Sequence, residues 1–129
     1  MLDSPKTYSM DPYRRAFKIV GEFVEDLRRG LDSGRGIDLE IGSAERVLLV
    51  GIGGSGIICD VAAQMISERG MHVKVLKGYS SCGGGWDLAL IVSHSGNTAE
   101  AVKHALTLLE KRIPQVFITS DGILARLAE

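Results

Sequence analysis

The sequence predicts an α/β fold, a parallel β-sheet flanked by helices, with an amphipathic helix at the N-terminal side. Three observations carry this. Leu48, Leu49 and Val50 form a short apolar run suited to a strand buried on both faces, and Gly51, Gly53, Gly54, Ser55 and Gly56 follow it at once, before helical spacing begins at Ile57. The apolar run 87–92 leads in the same way into Ser93-His94-Ser95-Gly96-Asn97-Thr98 and a second helical stretch. Tyr13, Phe17, Val20, Val24, Leu27 and Leu31 recur on one helical stripe.

Taken in order, residues 1–10 form a start without periodicity. Asp11 and Pro12 suit a helix opening, Asp as the N-cap and Pro at the first helical position. The stripe then runs to a helix end near Gly30. It must be buried, and packing in its own chain is expected ahead of packing on a partner's equivalent helix. Residues 32–45 read as a connector with a short extended piece at 37–41. The domain division is 1–45 for helix and connector and 46–129 for the α/β domain.

The first strand and its glycine-rich turn lead into a helix over 57–68, with Ile58, Ala62, Met65 and Ile66 inward and Gly70 as terminator. A second strand is expected over 72–76, followed by a loop, 78–85, containing three consecutive glycines. Trp86 is the single tryptophan and is expected to anchor that loop. The third strand is 87–92. Asn97 and Glu100 have capping-box spacing, and Val102, Ala105, Leu106 and Leu109 make the next helix amphipathic. Pro114 closes it, a fourth strand takes 115–119, and 122–128 begins another helix. The chain stops before a fifth strand.

Composition bounds the function. A 129-residue chain with a 45% hydrophobic share supports one core. A formal net charge of −1 leaves no basic footprint, so neither nucleic acid nor a membrane surface is an expected partner. There is no signal-like start and no long apolar stretch, so a cytoplasmic location is expected. The 16 glycines gather at 51–56 and 82–85, where they serve as turn chemistry. The two cysteines have no metal or redox spacing; Cys59 reads as core packing and Cys82 as an exposed loop thiol.

Glycine-rich turns that enter helices let backbone N–H groups approach an anion, and the helix N-terminus adds unpaired donors and partial positive charge. The alternative for 51–56 is that glycine only permits close strand–helix packing. Gly51, Gly53 and Gly56 also fit the dinucleotide pattern G-x-G-x-x-G, but no acid stands at the end of the second strand. Only Lys74 and Lys77 leave room for a reader of a 2′-phosphate. The second loop supplies hydroxyls from Ser93, Ser95 and Thr98 at a helix entry, with Gly96 permitting a tight approach, and Ser55 adds a fourth from the first loop. Both loops follow parallel strands, so they are expected on the same edge of the sheet.

GIGGSG after one strand together with SHSGNT after another resembles the sugar isomerase (SIS) domain, and the resemblance extends over 46–129. Within that family the chain is most similar to the N-terminal lobe of archaeal-type bifunctional phosphoglucose/phosphomannose isomerases. The resemblance implies a flavodoxin-like, doubly wound sheet, a phosphorylated sugar as ligand, and aldose–ketose isomerisation of hexose 6-phosphates through an enediol. It implies no cofactor and no metal. By the same resemblance Gly53, Gly54 and Ser55 face the sugar, while Ser93, Ser95 and Thr98 grip its phosphate. His94 stands at a variable position and takes no family role.

In that subfamily the catalytic glutamate and histidine lie later in a two-lobed subunit, so no catalytic residue is assigned in this chain. Glu100 and His104 are one helical turn apart and read as a solvated helix face. An SIS domain acting as a sugar-phosphate sensor is the alternative function, and an NADP-binding oxidoreductase fragment a more remote one. The unpaired strand edge left without a fifth strand leads us to expect a homodimer.

Overall fold

The computed structural model describes residues 10–37 and 43–129. The N-terminal start at 1–9 and most of the expected extended piece at 37–41 fall outside them. The chain divides into two units, at 1–40 and 41–129.

The first unit contains helix α1, Asp11–Arg35. Met10, in an extended conformation, holds the N-cap position expected for Asp11, and Pro12 sits in the first turn, where its missing N–H costs nothing. The helix runs through Gly30 for another five residues to Arg35. A lone glycine costs a helix about 1 kcal/mol, too little to end one that continues with Asp32 and Arg35 paired at 3.0 Å. The expected burial of the stripe is corrected: no residue of α1 is buried, and Phe17, Val20, Val24, Leu27 and Leu31 are all more than half exposed. Ion pairs one turn apart, such as Lys18–Glu22 and Arg29–Asp26, line the polar side.

The second unit is a four-stranded parallel sheet in the order β2-β1-β3-β4. Its strands are β1 (Arg46–Gly51), β2 (His72–Leu76), β3 (Leu88–Val92) and β4 (Gln115–Ile118). Helices α2 (Gly54–Ser67), α3 (Ala99–Glu110) and α4 (Gly122–Leu127) alternate with them. Strand side chains alternate between faces, so β1 feeds two cores. Leu48 and Val50 join Leu76, Ile91, Ala101, Ala105, Leu108 and Leu124 on the side of α3 and α4. Val47, Leu49 and Cys59 pack with Ala62, Ala63, Ile66 and Val75 on the side of α2. A sheet covered on both faces and wound outward in both directions from β1 is the doubly wound, flavodoxin-like arrangement the sequence implied.

Details of the expected elements shift for physical reasons. Strand β3 starts at Leu88 because the Asp87 carboxylate is occupied, accepting from the backbone N–H of Glu45 at 3.0 Å and of Arg46 at 2.8 Å. Helix α2 turns Cys59, Ala62, Ala63 and Ile66 inward, leaving Ile58 and Met65 exposed, against expectation. Helix α3 buries Ala101, His104, Ala105 and Leu108. The expectation of a solvated His104 is corrected, and Leu106 and Leu109, expected on the apolar face, are 46% and 44% exposed.

Trp86 does anchor the 78–85 loop: its Nε1 donates to the Cys82 carbonyl at 2.6 Å, and its ring stacks on His72 at 5.7 Å. The expected exposure of Cys82 is corrected, since that anchor draws the cysteine into the core at 3% exposure.

Candidate functional site

The turn between β1 and α2 assigns its glycines two different jobs. A Cβ on Gly51 would stand 2.6 Å from the Ser55 carbonyl oxygen and 2.7 Å from Cys59 Sγ, and one on Gly56 would stand 2.8 Å from the Gly51 carbonyl oxygen. Those two glycines permit strand–helix contact. Gly53 has φ +61°, and neither it nor Gly54 has anything within 4 Å of where a Cβ would be. The middle of the turn therefore presents open backbone at the start of a 14-residue helix.

The loop between β3 and α3 is closed from within and clamped from outside. Ser93, 3% exposed, shares a hydrogen bond of 2.9 Å between its Oγ and Thr98 Oγ1. Ser95 is exposed, and its Oγ accepts from the Asn97 N–H at 3.3 Å. Thr98, not Asn97, is the N-cap of α3. Asn97 instead reaches the next connection, where its Oδ1 accepts from the Ile123 N–H at 3.1 Å. The Ser120 N–H donates to the His94 carbonyl and the Leu124 N–H to the Gly96 carbonyl, both at 3.1 Å.

Register puts Gly51 opposite Val92 and Val92 opposite Ile118, so the two loops leave adjacent strands at the same carboxyl edge. Strand order reverses between β1 and β3, and such a switch point opens a crevice for ligands. Here it holds a cavity of about 330 Å³ lined by Ser55, Ile58, Val92, His94, Ile118, Thr119 and Ser120. Of the six expected site residues, Ser55 lines this cavity, Ser93 and Thr98 are joined to each other, and Ser95, Gly53 and Gly54 stand on the exposed parts of their turns without lining it.

Sequence reasoning passed over His94, Thr119 and Ser120. The last two follow β4, another parallel strand ending at the same edge, which is the signal that would have found them. A larger depression of about 500 Å³ between α3 and α4 has mainly aliphatic walls, including Val102, Leu106 and Ile123, and touches the second loop only through Asn97.

Beneath the first turn, burial pushes the Cys59 thiol above its ordinary pKa, the Asp60 carboxylate adds to that, and Lys77 opposes it. Lys77 is ion-paired with Asp60. That pairing occupies one of the two lysines left for a dinucleotide 2′-phosphate. Glu100 and His104 do not pair: His104 is 2% exposed, with Nε2 2.6 Å from the Gly78 carbonyl oxygen. Among the described residues no group of three His, Cys, Asp or Glu side chains is placed to hold a metal ion, and no helix is long and apolar enough to cross a membrane.

The sheet order is that of a doubly wound, flavodoxin-like α/β domain, with a glycine-rich turn after β1 and a hydroxyl-bearing loop after β3. The chain is 33% identical over 94 residues to a bifunctional phosphoglucose/phosphomannose isomerase of Pyrobaculum calidifontis, a match covering 71% of this chain and 31% of that protein. A crystal structure described as that of a hypothetical protein superposes with a TM-score of 0.64 at 25% identity, covering 88% of this chain and 63% of the other. No family model matches the sequence. The chain thus spans about a third of the curated relative and under two thirds of the solved one. The isomerase match agrees with the resemblance carried by GIGGSG and SHSGNT, and the solved structure agrees with the fold.

Proposed function

We propose that this chain is the phosphosugar-binding part of an aldose–ketose isomerase that interconverts glucose 6-phosphate or mannose 6-phosphate with fructose 6-phosphate. The observation that carries the reading is the convergence of two anion-suited loops on one switch-point cavity, with Ser55 from one and His94 from the other in its wall. The name of the Pyrobaculum relative supplies the reaction class.

In this reading Gly53, Gly54 and Ser55 face the sugar. Ser93, Ser95 and Thr98, with the first N–H groups of α3, grip the phosphate, Ser93 in part by holding Thr98 Oγ1. Neutral donors and a helix N-terminus suffice for such a dianion. Isomerisation further needs a carboxylate to carry a proton between C1 and C2 and a group to assist ring opening; those roles fall to groups other than these six. A homodimer in the cytoplasm, with the apolar stripe of α1 or the loop edge at its interface, completes the proposal.

Calorimetric titration with fructose 6-phosphate, beside NADPH, tests it. Saturable binding of the sugar phosphate alone is the expected result. NADPH binding alone would return the first turn to the dinucleotide class, and silence toward both would remove the chain from the phosphosugar binders.

A further inference from the structure

Another cavity, of about 260 Å³, lies where the 78–85 loop meets α3, apart from the 51–56 and 93–98 loops. Its lining includes Ser80, Ser81, Lys103, Lys111, the buried His104 and Thr107, whose hydroxyl donates to the Lys103 carbonyl at 2.9 Å. No acidic side chain lines it. Among the described residues neither lysine has a carboxylate within ion-pair distance, whereas Lys77 has Asp60. Lys111 Nζ donates to the Gly83 carbonyl and lies 3.6 Å from Cys82 Sγ, which fixes that charge at the cavity wall. Lys103 Nζ sits 5.1 Å from the centre of the Tyr79 ring. His104 Nε2 lies 2.6 Å from the Gly78 carbonyl oxygen, which makes Nε2 the donor in that contact and spends its N–H on the loop.

We propose that this cavity is a binding site for a compact oxyanion, of the phosphate or carboxylate class, distinct from the phosphosugar site. Two lysine side chains with no carboxylate at ion-pair distance among the described residues, together with the Ser80 and Ser81 hydroxyls, form a donor set suited to such a group; the Thr107 hydroxyl and His104 Nε2 are already engaged by the Lys103 and Gly78 carbonyls. The volume is below that of usual drug-sized pockets and restricts the ligand to a few heavy atoms beyond the oxyanion. Because one wall is the 78–85 loop, an occupant would bridge that loop to α3.

The test is an amide NMR titration of the isotope-labelled 129-residue chain with inorganic phosphate and, separately, malonate, in the native chain and in Lys103→Met. Lys103 is exposed and holds no backbone group, so its replacement leaves the fold intact. The expected result is saturable shifts at 79–84 and 103–111 with at least one of the two anions, weakened about fivefold or more in Lys103→Met. Shifts at 53–55 and 93–98 should keep their native midpoint in that variant, which separates this site from the phosphosugar one. A response to phosphate alone assigns phosphate-bearing ligands, to malonate alone carboxylates, and to both the shared class. Shifts at the cavity that are absent, fail to saturate, or are unchanged in Lys103→Met overturn the proposal.

Discussion

Ser93 Oγ and Thr98 Oγ1 share a hydrogen bond of 2.9 Å across the loop that leaves β3, closing it before α3 begins. In the proposed reading both hydroxyls also hold the phosphate, so one interaction would serve the fold and the site together. Removing either partner should be felt in both.

Ser93→Ala tests that double role. The residue is buried, and its loss strands the Thr98 hydroxyl without its partner, which should cost about 1 kcal/mol of stability. Urea denaturation should register that loss, and fructose 6-phosphate affinity should fall with it. An unchanged midpoint would mean the hydroxyl pair contributes nothing to the loop.

Ser95→Ala should separate the two effects. Ser95 Oγ accepts only a 3.3 Å bond from the Asn97 N–H and is exposed, so stability should barely move. If its hydroxyl donates to the phosphate, binding weakens by roughly 1–3 kcal/mol. Equal affinities in calorimetry would take Ser95 out of the phosphate grip.

The architecture was legible because strands buried on both faces and glycine-rich turns leave local marks. Leu48, Leu49 and Val50 are apolar without alternation, and His72–Leu76 is bounded as read. What escaped depended on long-range partners. His104 looks solvated one turn from Glu100, and only the Gly78 carbonyl, 26 residues away, explains its burial. Cys82 lies in a glycine tract, and its burial follows from the Trp86 anchor. Within the site the loops could be read from their residue types. The separation of Gly51 and Gly56, which pack, from Gly53 and Gly54, which stay open, needed the spacing between backbone atoms.

That separation yields a paired prediction. Gly51→Ala would push a methyl against the Ser55 carbonyl and Cys59 Sγ, and should cost about 2 kcal/mol or more. Gly54→Ala meets nothing within 4 Å at the first helical position, so thermal stability should hold or rise. In the proposed reading the added methyl obstructs the sugar, and fructose 6-phosphate binding should fall. A Gly54→Ala variant that binds like the native chain would move the sugar away from this turn.

Cys59 sets a pH dependence whose sign can be worked out. Burial first, and the Asp60 carboxylate second, raise the folded thiol above its ordinary value of 9.0, while Lys77 pulls the other way. A group whose folded pKa is raised contributes stability that is fully present below the unfolded value and lost as pH climbs through the folded one. The unfolded chain releases this proton first, so the native protein should lose stability progressively above pH 9.0. Cys59→Ala lacks the ionisable group. It should be less stable than the native chain at pH 8 because a buried side chain is truncated, by about 1 kcal/mol. Urea midpoints at pH 8 and pH 10 should show the gap between the two proteins narrowing at the higher pH. A constant gap would mean that the thiol ionises as readily in the folded core as in the open chain, contradicting its burial against β1.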